Sequence, residues 1–230
     1  MRSRGFTLIE LLVVVAIIGV LLGILVPLLG TARRQARTVA CMSNMRQITA
    51  ATLLYAEDHH GQWPRSSHSA LASGVQPWAY ALSRQWGAGD YEPGKPNGAW
   101  QRIRDTLLRC PEDTRTGNYY SYGKSVWFEL GASETGEVFG KLRGPTFTRV
   151  HNVPRPGETV LYGELNSGSQ ADHIMAHYWY FGGSPEVAQT RHGSASNYAL
   201  ADGHVETRIF KTTYEPVKQV DFWYPGTVPK

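Results

Sequence analysis

Phe6 to Leu29 is a run of 24 residues that carries one charge, Glu10. Coiled as an α-helix at 1.5 Å per residue, it is roughly 36 Å long, enough to cross a bilayer core of about 30 Å. A helix in a soluble core is seldom apolar on every face for so long, so this run is expected in lipid. The rest of the chain has a different solvent. Of the 7 Trp, 12 Tyr and 7 Phe, only Phe6 and Tyr55 fall in the first sixty positions. The charge balance, 23 Lys and Arg against 19 Asp and Glu, is too weak and too scattered for a nucleic-acid surface.

Three fates of the N-terminus fit the residues. Met1-Arg2-Ser3-Arg4 is a basic start and Gly30-Thr31-Ala32 offers small residues, as in a secretory signal, but the run exceeds the usual apolar region of about 7–15 residues. An uncut anchor is the second, and cleavage on the cytoplasmic side ahead of the run is the third. Arg2 and Arg4 on one flank oppose Arg33, Arg34 and Arg37 on the other, so flanking charge does not choose an orientation. Glu10 is the informative residue, because a carboxylate at mid-bilayer costs roughly 2.5–3.5 kcal/mol. Either it snorkels to the headgroups or it meets a cation. A cut between Gly5 and Phe6 would create an amine one helical turn before Glu10, able to neutralise that carboxylate or a neighbour's.

The segment Arg4-Gly5-Phe6-Thr7-Leu8-Ile9-Glu10-Leu11-Leu12-Val13-Val14 resembles the cleavage and methylation motif of type IV prepilins and type II secretion pseudopilins. The resemblance implies that a membrane-embedded prepilin peptidase cuts after Gly5 and methylates the amine of Phe6. It also implies that Glu10 pairs with the Phe6 amine of an adjacent subunit during assembly. Gly19 and Gly23 form a GxxxG pattern that lets helices approach closely, although glycine is common in membrane helices anyway. Pro27 has no N–H to give Gly23, so the helix can kink or unwind there.

Residues 31–60 contain no Gly or Pro. Cys41, Met45, Ile48, Thr52 and Tyr55 are spaced as one helical stripe, with Ser43, Arg46, Gln47 and Glu57 away from it. Gly61 and Pro64 end the pattern. The expected organisation is a leader (1–5), a transmembrane half of a stem helix (6–29), an amphipathic half (30–60) and a globular head (61–230). The head reads as α+β, with a C-terminal antiparallel β-sheet on which the stem packs. Strands are expected at 159–162, 174–181, 197–201 and 204–210, the last two joined by Asp202-Gly203 in a type I′ turn. Residues 64–125 read as loops, with short helices around 78–86 and 100–108.

Arg191-His192-Gly193, nine residues, then Asp202-Gly203-His204 resembles the H-x9-DG signature of a group of pseudopilin-like proteins. Cys41-Met42-Ser43-Asn44, Tyr55-Ala56-Glu57-Asp58 with Gly61 to Pro64, Cys110-Pro111-Glu112-Asp113 and Pro156 to Leu161 match that group in the same order. Residues 64–109 match nothing in it. In an oxidising compartment Cys41 and Cys110 form one disulfide; two isolated buried thiols are the alternative.

Little points to catalysis. His173 and His177 have a metal-ligand spacing only on a helix, and the segment reads as a strand. His192, Asp202 and His204 offer too few oxygens for calcium, which wants six to eight, so Asp202-Gly203 is read as a turn and His192 as bonded to the neighbouring loop. No nucleophile elbow, P-loop or HExxH occurs. The expected function is that of a non-enzymatic filament subunit without a cofactor, calcium at Asp202 being the outside case. Its head is expected outside the cytoplasmic membrane. Its expected partners are the prepilin peptidase, other pilin or pseudopilin subunits, an inner-membrane assembly platform and membrane lipid, with no nucleic acid. A membrane-anchored periplasmic binding or hydrolytic domain on a borrowed stem is the alternative.

Overall fold

The structure is a computed structural model that describes residues 7–92, 94–95, 97–117 and 119–226. Gly5 and Phe6, and with them the cleavage site, lie outside the described residues.

One helix, α1 (Leu8–Asp58), forms the stem. Its start is fixed by a capping box: the Thr7 hydroxyl accepts from the Glu10 N–H at 3.3 Å, and the Glu10 carboxylate accepts from the Thr7 N–H at 2.8 Å. It runs without interruption through Pro27, so the local unwinding that the missing N–H permits is not present. It ends where His60 and Gly61 take φ of 56° and 81° and the Gly61 N–H closes on Ala56 O at 2.7 Å.

The two halves of α1 meet different surroundings. Residues 7–37 are all exposed, while Cys41, Met45, Ile48, Thr49, Ala51, Thr52 and Ala56 are buried. The stripe read from spacing is therefore the packed face, with Ala56 rather than half-buried Tyr55 closing it. Ser43, Arg46, Gln47 and Glu57 face outward.

The head holds α2 (Trp78–Ala81), α3 (Gly98–Thr106) and α4 (Ala132–Val138) around a five-stranded sheet. Its strands are β1 (Tyr122–Ser125), β2 (Val160–Glu164), β3 (His173–Ile174), β4 (Ser196–Leu200) and β5 (Val205–Arg208), in the order β3-β1-β2-β4-β5. A separate two-stranded ribbon joins β6 (Tyr214–Glu215) and β7 (Val220–Asp221). All pairings in the large sheet are antiparallel except β1 with β3. The sheet is thus mixed and begins at Tyr122, earlier than a purely C-terminal antiparallel sheet. Gly123 and Gly163 are cross-strand partners. A Cβ on either would stand 2.7–2.8 Å from Leu165 or Trp223, so this pair of glycines makes room for the core.

The stem lies against β4, β5 and β2. The Thr52 hydroxyl meets Tyr162 OH at 2.8 Å, and Asn44 donates to the carbonyls of Thr106 and Arg109, both at 3.0 Å. The aromatic residues are mostly core: Trp78 packs on Tyr162, Trp127 on Tyr224 and Trp179 on Trp223, with ring centroids 4.9–5.1 Å apart.

Three local expectations are corrected. The strand expected over 174–181 stops at Ile174, and Ala176–Phe181 is a 3-10 helix. Ala176, His177 and Trp179 are buried while Tyr178 and Phe181 are exposed, a pattern without strand alternation, and Gly182 at φ 83° ends it. The strand expected over 204–210 is β5 alone, because Phe210 turns into a 3-10 helix. The Asp202-Gly203 turn is not type I′. Gly203 has φ 101° but Asp202 keeps a negative φ, and the Gly203 N–H bonds Leu200 O at 3.0 Å, a longer hairpin connection that needs one left-handed residue rather than two.

The stripe yields a stability prediction. Ile48→Ala should cost about 2–5 kcal/mol, while Leu54→Ala, on an exposed position, should cost under about 0.5 kcal/mol. Urea unfolding of the detergent-solubilised chain, followed by tryptophan fluorescence, measures both.

Candidate functional site

Two regions of α1 carry the chemistry. The first is the exposed apolar half. Glu10 is held in the capping box by Thr7, whose hydroxyl also donates to the Glu10 carboxylate at 2.8 Å. The carboxylate is thus oriented at the helix start, among exposed Leu8, Ile9, Leu11 and Leu12. Beyond the adjoining residues and backbone of their own helix, Gly19 and Gly23 have nothing within 4 Å of where a Cβ would stand. They leave an open notch on a helix face that touches nothing in the head. By length and composition this helix can cross a membrane.

The second region is the joint between stem and head. Cys41 of α1 is disulfide-bonded to Cys110. In the chain-entropy account, a loop of this length is worth about 4 kcal/mol. His192 is seated beside the bridge, its side chain 1% exposed. Its Nδ1 meets the Thr38 hydroxyl of the stem at 3.1 Å, and its Nε2 meets Glu164 Oε1 at 2.9 Å and Cys110 Sγ at 3.7 Å. Glu164 is fully buried at the end of β2, and its other oxygen accepts the Asn197 N–H at 2.9 Å. His192 was expected to bond its neighbouring loop; it instead ties that loop to the stem. Asp202 and His204 do form one turn, with the carboxylate 2.7 Å from His204 Nδ1, but His192 is not part of it.

The Cys-Pro-x-Asp element joins the same region. Asp113 accepts from Arg115 and from the Ser121 hydroxyl, both at 2.7 Å, and lies 3.3 Å from Arg191. Arg191 and Arg115 spend their other donors on the carbonyls of Leu165, Tyr120 and Ser169. Burial pushes the Asp113 carboxyl up, but hydrogen bonds from Arg115 and Ser121 and the Arg191 charge outweigh it and bring it down to about 2. Spacing alone did not reveal Thr38, Glu164 or Arg115 as partners. Only Glu164, a carboxylate closing the β-prone run Val160 to Gly163, carried a local signal; Thr38 and Arg115 lie in polar stretches.

Away from the joint, His173 and His177 both turn toward His68, with ring centroids 5.6 and 6.3 Å away. They come together because the strand they were expected to share breaks at Ile174. Asp172 holds His173 Nδ1 at 2.9 Å. Burial and neighbouring histidines bring His177 down to about 4.

Residues 1–26 match the family model described as the prokaryotic N-terminal methylation motif. Type II secretion system core protein G of Klebsiella pneumoniae is 30% identical over 99 residues, 43% of this chain and 70% of that protein. The corresponding proteins of Pectobacterium carotovorum subsp. carotovorum and Pseudomonas aeruginosa are each 29% identical over 99 residues, 63% and 69% of their lengths. No solved structure matches the chain. The features are those of a pseudopilin, with a capped apolar stem and a head clamped to its distal half. The chain belongs to the type II secretion system core protein G family.

The Asp113 network has a pH signature. A carboxyl held at about 2, below its ordinary 3.8, stabilises the fold fully above about pH 4 and loses that contribution as pH falls toward 2. Asp113→Asn should cost about 3 kcal/mol at pH 7, because two buried guanidinium groups lose their counter-charge, and should flatten the decline between pH 4 and 2. Urea midpoints recorded across that range check both.

Proposed function

We propose that this chain is a structural subunit that polymerises into a pilus-like filament, the pseudopilus of a type II secretion machine. The exposure of α1 carries the reading. Thirty-one consecutive residues, 7–37, are exposed and mostly apolar, while the next twenty carry the head. A surface of that size is stable only in lipid or against the stems of other subunits, and movement from the first to the second is what assembly of such a filament requires.

In this reading the subunit waits in the cytoplasmic membrane with its head outside. The prepilin peptidase cuts after Gly5 and the Phe6 amine is methylated. Removal of Arg2 and Arg4 lowers the formal charge from +4 to +2. The new amine, four residues before Glu10 in the sequence, neutralises the carboxylate of an adjacent subunit and sets the axial register. Gly19 and Gly23 let neighbouring stems approach, and Pro27 is the place where the stem can yield. The assembly platform of the inner membrane adds subunits, and the disulfide and His192 keep each head on its stem under axial load. The reading needs no cofactor and no catalytic group, and it leaves Asp202 to its turn.

The intact mass of protein purified from its own membrane tests this. Loss of residues 1–5 with one added methyl group is expected; retention of Met1, or a cut near Ala32, would support an anchored periplasmic domain instead. Glu10→Ala should insert into the membrane at the wild-type level yet form no filaments, and normal filaments from that variant would remove the pairing argument.

A further inference from the structure

The joint holds a ligand set that the filament reading uses only as a mechanical clamp. Sulfur atoms of Cys41 and Cys110, an oxygen of Glu164 and a ring nitrogen of His192 all lie within 4.8 Å of one another. It is the sole group of three or more such atoms to do so among the described residues. We propose that, when the disulfide is reduced, these four side chains bind one zinc ion, and that oxidation to the disulfide expels it.

Two thiolates, an imidazole and a carboxylate are all zinc ligands, and four of them complete a closed tetrahedral site. With bonds of about 2.0–2.1 Å to nitrogen and oxygen, two such ligands of one ion stand roughly 3.3 Å apart. His192 Nε2 and Glu164 Oε1 are 2.9 Å apart already, and Nε2 is 3.7 Å from Cys110 Sγ. The supporting contacts are also in place. Thr38 Oγ1 engages Nδ1 of His192 at 3.1 Å, so the ring is oriented with Nε2 toward the sulfurs, and the Asn197 N–H holds Glu164 Oε2 at 2.9 Å. Such partners fix the orientation of metal ligands. The site is dry: Cys41 and Glu164 are 0% exposed and Cys110 2%.

The chemistry balances simply. A dithiol reductant gives two electrons and two protons to the Cys41–Cys110 bond and leaves as a disulfide, and each of the two thiols so formed then releases a proton as a Zn–S bond forms. On oxidation the two thiolates pass two electrons to an incoming protein disulfide. That disulfide takes up two protons and leaves as a dithiol. The Cys41–Cys110 bond forms, both Zn–S bonds break, and Zn²⁺ departs from a site that retains only His192 and Glu164. Since Cys41 belongs to α1 and the other three ligands to the head, the ion would hold stem and head together before oxidation makes the bond covalent.

The test uses the full chain in detergent, reduced with a phosphine, freed of reductant under argon and titrated with Co²⁺ and then Zn²⁺. One equivalent of cobalt should bind with thiolate charge-transfer and tetrahedral ligand-field bands, and zinc should displace it. X-ray absorption of the zinc form should count two sulfur and two nitrogen or oxygen neighbours. The oxidised chain should show neither band. Glu164→Gln and His192→Ala should each weaken zinc binding by at least about tenfold, the scale already lost when a supporting residue is removed. The wild-type absorption measurement decides the matter even where a variant does not fold. No stoichiometric binding by reduced, folded protein, a shell without two sulfurs, or equal binding by the oxidised chain would overturn the proposal.

Discussion

A helix that is apolar on all sides must be covered, and none of the described residues covers this one. Residues 7–37 project from the head with every face exposed. The hydrophobic effect therefore assigns the proximal stem to lipid or to neighbouring stems, and the same α1 backbone, continuous through Pro27, carries that constraint into the head. The head's architecture follows as an answer to the second half of the problem. It lays β4, β5 and β2 against the one stripe of α1 that is apolar beyond the membrane.

Burial of that stripe is reinforced by specific polar contacts. Thr52 meets Tyr162, Asn44 bonds the carbonyls at the end of α3, and His192 spans Thr38 and Glu164 beside the disulfide. Each of these contacts joins α1 to a segment at least 62 residues away in the chain. They convert a slippery helix–sheet contact into one register. A buried carboxylate such as Glu164 is tolerable because both oxygens are engaged, and Asp113 because two guanidinium groups surround it. The two networks share the segment around Arg191 and His192, so the loop before β4 is anchored to the stem and to the Cys110–Ser121 region together.

Much of this was legible in the residues, for identifiable reasons. The apolar run is long and unbroken, so its meaning does not depend on tertiary context. The spacing of Cys41, Met45, Ile48 and Thr52 marks one face of a helix whatever packs on it. Gly203 had to turn because a left-handed residue is cheap only for glycine. What stayed hidden depends on partners distant in sequence. The aromatic run after Ile174 satisfies strand propensity, yet its buried positions are set by Trp127, Trp223 and Tyr224. The parallel pairing of β3 with β1 crosses 49 positions of register. The place of His192 depends on Thr38, 154 residues away, and nothing local in Arg191-His192-Gly193 names that partner.

The central claim is that α1 lives in two solvents, and site-directed spin labelling of the chain in bilayer nanodiscs measures that directly. Nitroxides at positions 11, 15, 18, 22 and 25 should collide with dissolved oxygen and be shielded from a water-soluble nickel chelate. Nitroxides at 43, 46 and 47 should show the reverse. Chelate access along the whole of 11–25, or shielding of those positions from both reagents by the head, would contradict the account.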